Sequence, residues 1–163
     1  MQLHGLIHTF PKHIKLFIAA FIIVLSIGYV TGLLFVSETD STTPDGIEEN
    51  YLGNEEDEEA KVMKFEKSDR EMLTTLHSHI LSMSFIFFLL GSILAITSIP
   101  KKLKSFLMVE PFISILLTFG GIYFLWKGVL WMKYIVIFSG IVMTGVFLIA
   151  SISILLQLLK KEE

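Results

Sequence analysis

Four apolar stretches, each long enough to cross a lipid bilayer, predict an all-α fold: a four-helix transmembrane bundle with up-down topology. The stretches run over residues 14–36, 76–99, 106–126 and 132–159. A hydrocarbon core of about 30 Å needs roughly 20 apolar residues in a helix. Composition agrees. The 163 residues are 53% hydrophobic, and mean hydropathy is +0.69, above the usual range of soluble domains. Charge is the third observation, because it collects between the spans and at the ends. Lipid offers no hydrogen-bond partner to a backbone, so each span satisfies its own amides as a helix. The whole of 1–163 reads as a single membrane domain with little mass outside the bilayer.

The first span, 14–36, follows Lys12 and Lys15 and ends in Gly32-Leu-Leu-Phe-Val36 without a small-residue cleavage pattern. It reads as an uncleaved signal anchor. Residues 37–67 follow as a flexible acidic external loop. From Ser37 to Leu73 there are 13 Asp/Glu against 4 Lys/Arg, a net −9. Such charge with few apolar residues leaves the entropy of ordering without compensation. The Glu55–Glu59 run reads as solvated chain, and it lacks the register of an EF-hand.

The second span is expected over 68–99. Ser68-Asp-Arg-Glu71 has capping-box spacing, so the helix starts in water about two turns before its apolar run. The third span is 106–126. The fourth, 132–159, follows a short turn flanked by Trp126 and Trp131 that fits an interfacial aromatic belt. Lys12, Lys15, Lys101, Lys102, Lys104, Lys160 and Lys161 fall on one side after four crossings. The positive-inside rule then makes both termini cytoplasmic, with Lys127 and Lys133 running against it. A bacterial inner membrane fits this composition.

Several chemistries drop out. The chain has no cysteine, which removes disulfides, iron–sulfur clusters, covalent c-type haem and thiolate metal sites. It carries no phosphate loop, HExxH, GxSxG or dinucleotide fingerprint, so the reading leans away from an enzyme. No soluble basic module is present to bind nucleic acid.

Two places carry chemistry. In Leu76-His77-Ser-His79-Ile-Leu-Ser-Met83, imidazoles sit near the outer membrane interface, where ionisable groups tend to mark sites. Residues i and i+2 lie about 200° apart on a helix, so His77 and His79 face nearly opposite ways and do not chelate one ion together. Met83 lies one turn beyond His79 on the same face, and a His79–Met83 pair is a candidate for copper or haem ligation. Ser78 and Ser82 are candidates to orient the rings. The competing reading has both imidazoles bonded to headgroups, water or the acidic loop. Glu110 is the carboxylate inside an apolar run. It is expected about one turn into the third helix, with Pro111 harmless near the helix start and the charge complementing the helix dipole. The functional alternative is a protonatable group at the cytoplasmic mouth.

The Leu76–Gly91 stretch resembles the His-x-His helix of small bacterial membrane-protein families of uncharacterised function. More distantly it is similar to the haem-bearing His-x-His helices of haem–copper oxidase-like proteins. Only His77 and His79 match, over 16 residues. The resemblance implies haem b as a candidate ligand and no more; with no histidine on the third or fourth span, a second ligand would come from Met83, from another copy or from a partner protein. It implies nothing about oxidase chemistry.

Gly28-x-x-x-Gly32 and Gly91-x-x-x-Ala95 offer surfaces for close helix contact. Three functions therefore stand as expectations. One is haem or metal association through His77 and/or His79. Another is an accessory subunit docked in a homo-oligomer or on a partner membrane protein. The last is a small proton-coupled carrier or channel using Glu110.

Overall fold

The computed structural model describes residues 4–55 and 62–160. Its elements are a 3-10 turn at Leu6–Thr9, then α1 (Lys12–Glu38), α2 (Pro44–Leu52), α3 (Asp69–Ala95), α4 (Lys101–Trp126) and α5 (Met132–Leu159). No strand occurs among the described residues. The chain is an all-α bundle, and α1, α3, α4 and α5 are long and apolar enough to span a membrane.

The buried core lies between α3, α4 and α5, and α4 and α5 share the widest seam. Gly121 makes that seam tight: a Cβ there would lie 2.9 Å from Val136 Cγ2. Beside it, Thr118 and Ser139 share a buried hydroxyl bond of 2.7 Å. Phe147 is fully buried at the centre. Tyr29 stacks on it at 3.9 Å, and Phe87 meets it edge-on at 6.2 Å.

α1 sits at the periphery, packed chiefly on α5, and buries only Ile18 and Ile22. Its remaining face presents Phe17, Val24, Ile27 and Leu34 outward. α5 does the same with Phe138, Ile141 and Ile152. In water such surfaces would aggregate; here the acyl chains are their solvent. Gly28 and Gly32 meet no atom within 4 Å, whereas Gly91 is filled by Met108 at 3.7 Å. The first notch therefore faces outward, and the second is used within the chain.

The segment expected as flexible loop is partly built. α2 caps the end of the bundle opposite the lysine-rich one, against α4 and α5. Thr43 Oγ1 accepts from the Gly46 amide at 3.1 Å, and Pro44 supplies the first residue of the helix. Ile47 is buried, with Tyr51 and Leu52 packed against the core. Burial pushes the Tyr51 phenol above its ordinary range. Lys133 Nζ reaches Asp45 Oδ1 at 2.9 Å and Glu48 Oε2 at 2.7 Å. The chain then doubles back: Asn54 N–H donates to Lys64 O, and Lys67 N–H donates to Tyr51 O. Trp126 Nε1 closes the arrangement on Lys67 O at 2.8 Å. Three apolar residues at helical spacing suffice to order a segment whose overall composition is acidic. Glu56–Glu59 of the acidic run lie outside the described residues.

Two helix boundaries differ from the expected spans by more than two residues. α3 begins under the Ser68–Glu71 capping box, as the spacing predicts, but ends at Ala95 rather than 99. Pro100 disfavours helix at Ile99, and Lys104 Nζ takes the carbonyls of Ala95 and Thr97 at 2.9 and 2.6 Å. α4 starts at Lys101, five residues before the expected 106, because lysine is a good helix former and the N-cap proline leads directly into the helix.

Candidate functional site

His79 is held by its own helix and by the next one. Its Nδ1 lies 2.9 Å from Thr75 O, one turn back. A carbonyl only accepts, so Nδ1 carries the hydrogen, and in the neutral ring Nε2 keeps the lone pair. The ring rests against Phe119 of α4, centroid to centroid 5.3 Å. Phe119 precedes the end of α4 by seven residues, so the imidazole lies roughly 10 Å below the Trp126 level.

The other members of the motif do not converge on it. His77 is exposed and has no polar partner among the described residues. Met83 is half-buried and packs against the core. Ser82 donates to the backbone carbonyl of His79 at 3.3 Å rather than to its ring. Among the described residues no group of three or more His, Cys, Asp or Glu side chains could hold a metal ion. Within one chain the motif brings no set of side chains together around one point, and His79 is its one ring held in place by a hydrogen bond.

Glu110 corrects its expected position. It is the tenth residue of α4, roughly 13 Å from the helix start and inside a core of about 30 Å. Pro111 therefore stands in the helix interior and leaves the Leu107 carbonyl without an amide one turn on. Neither the N1 proline nor the dipole argument survives, since helix-end effects fade within the first turn.

At this depth Ser114 Oγ donates to Glu110 Oε1, and the Ser114 side chain is itself buried. Glu110 Oε2 is buried with no hydrogen-bond partner. A buried acceptor left unmet costs about 1–3 kcal/mol, so this oxygen is an exception in a bundle whose other polar groups mostly pair. Glu110 and Phe119 are nine residues apart on α4, which separates Glu110 from the His79 ring by roughly 13 Å along the axis. The carboxyl and the imidazole form two separate places.

Sequence reasoning missed a third cluster, at the lysine-rich end. Ser98 N–H and Oγ–H both donate to Gln157 Oε1 at 2.8 Å. His8 Nε2 lies 3.0 Å from the same Ser98 Oγ. Gln157, polar and buried near the end of an apolar helix, was the available signal.

No curated protein and no solved structure matches the chain. Residues 41–163, from just before α2 to the end of the chain, match the family model Aq_1264_TM, described as a transmembrane helical domain. The match leaves α1 outside and takes in α2, both histidines and Glu110. On that coverage the chain belongs to this transmembrane helical domain family.

Proposed function

We propose that this chain is an integral protein of the bacterial inner membrane that acts as a small proton-coupled carrier, with Glu110 as the group that takes up and releases the proton. The observation that carries this reading is the buried, partnerless Oε2 of Glu110 beside a Ser114 hydroxyl already committed to Oε1. A carboxyl placed mid-helix among apolar side chains has no capping role to explain it, and intramembrane ionisable groups mark pathways by default. The proton adds at Oε2 and leaves to water or to the carried molecule. Ser114 holds the carboxyl in one rotamer through both states.

The test is proton uptake into liposomes carrying wild type or Glu110→Gln, read with an entrapped pH dye under an imposed gradient. Uptake is expected to fall to the protein-free rate in the variant, with Glu110→Asp retaining part of it. Equal uptake by wild type and Glu110→Gln overturns the reading.

A second reading is favoured by the His79 geometry. The bond to Thr75 O aims a fixed imidazole whose Nε2 lone pair is available to haem iron or copper. Bound haem would supply electron transfer. His79 would contribute one ligand, and the other would come from a second copy or a membrane partner docked on outward faces such as Gly28–Gly32. Purified protein is then expected to show a Soret band or stoichiometric copper that His79→Ala removes. A colourless, metal-free wild type dismisses it.

A further inference from the structure

We infer that residues 5–8 form a proton-released latch that clamps α1 onto the family core. α1 lies outside the matched domain and packs chiefly on α5. What anchors its leading end is a hook. Gly5 N–H donates to Thr97 O at 3.2 Å and Ile7 N–H to Ile96 O at 3.1 Å, on carbonyls just past α3. Ile7 is completely buried there. Lys15 Nζ, one turn into α1, donates to the His8 carbonyl at 2.8 Å and ties the hook to the helix.

The hydrogen-bond directions fix the state of His8. Gln157 Oε1 accepts from the Ser98 amide, which can only donate, so that atom is the amide oxygen. The Ser98 hydroxyl spends its hydrogen on the same oxygen. It therefore accepts from His8, and Nε2 carries the hydrogen. His8 Nδ1 is left as the other ring nitrogen, buried and without a partner. In the neutral ring this is an unmet acceptor that carries no charge. A second proton would place an N–H donor and a positive charge there with no acceptor.

The charged groups nearby are ammonium groups, each held by backbone carbonyls. From α1 comes Lys15, on the His8 carbonyl. From α4 comes Lys104, on the Ala95 and Thr97 carbonyls. α5 contributes the neutral Gln157, and the turn after α3 contributes Thr97 and Ser98. No carboxylate pairs with His8 among the described residues. Acidification therefore puts an N–H donor with no acceptor at the buried Nδ1, and the hook lets go.

Hydrogen exchange of full-length protein in detergent tests this on the N-terminal peptide containing Gly5 and Ile7, with rates corrected for intrinsic pH dependence. Exchange is expected to accelerate about tenfold between about pH 8 and about pH 5. His8→Gln keeps a side-chain N–H donor but takes no proton, and should stay protected at both values. His8→Ala should be unprotected at both. Wild-type protection that does not change with pH overturns the latch, as does a His8→Gln variant that loses protection on acidification just as wild type does.

Discussion

At Gly46 the backbone of α2 lies against the chain that leads into it. A Cβ built there falls 1.8 Å from the Asp40 carbonyl oxygen, and Asp40 itself sits at φ 56, a left-handed conformation that aspartate accepts more readily than most residues. The contact is with backbone, so no side chain can swing aside. Gly46→Ala should destabilise the cap by about 1–3 kcal/mol, seen as a lower melting temperature and faster hydrogen exchange across Pro44–Leu52. Unchanged melting and exchange would show that the cap relaxes freely. Residue by residue, the sequence singled out candidate groups but not their surroundings. His79 and Glu110 stand out in a list of apolar letters. That one is seated on Phe119 and the other has an unmatched oxygen depends on neighbours from other turns and helices.

Among the elements, hydropathy located the spans because lipid imposes a length and a polarity on any helix that crosses it. The helix α5, Met132–Leu159, covers the fourth apolar stretch from end to end. The ends of the second and third spans were misjudged for one reason. Hydropathy reports where apolar residues stop, whereas helices end where backbone and capping chemistry stop them. Lys101–Ser105 are polar yet helical, and Ile96–Ile99 are mostly apolar yet form the turn into Pro100. That difference moved Glu110 from a helix end to mid-helix and changed its chemistry. α2 was hidden for the opposite reason: the charges surrounding Ile47, Tyr51 and Leu52 swamp their periodic signal in any average over the loop. The capping box at Ser68 was legible in full, since it rests on four consecutive residues and nothing distant, and Ser68 and Glu71 do bond reciprocally.

For the molecule as a whole, the lysine-rich and acidic ends lie on opposite sides of one bundle, and the positive-inside rule orients it. With no native cysteine, single cysteines report side without background. Glu55→Cys should react with an impermeant maleimide in intact cells, and Lys102→Cys only after lysis. The reverse pattern would invert the topology and expose the latch to the outside. By itself the sequence determined that lipid is the solvent, that four helices cross it, and that charge divides the two ends. Those properties are sums over neighbouring residues and survive without knowledge of any contact. Only the tertiary structure decided that α1 is peripheral, that an acidic loop carries a docked helix, and that His8, Ser98 and Gln157 meet. Each of these depends on residues far apart in the chain, and packing, not composition, selects such pairs.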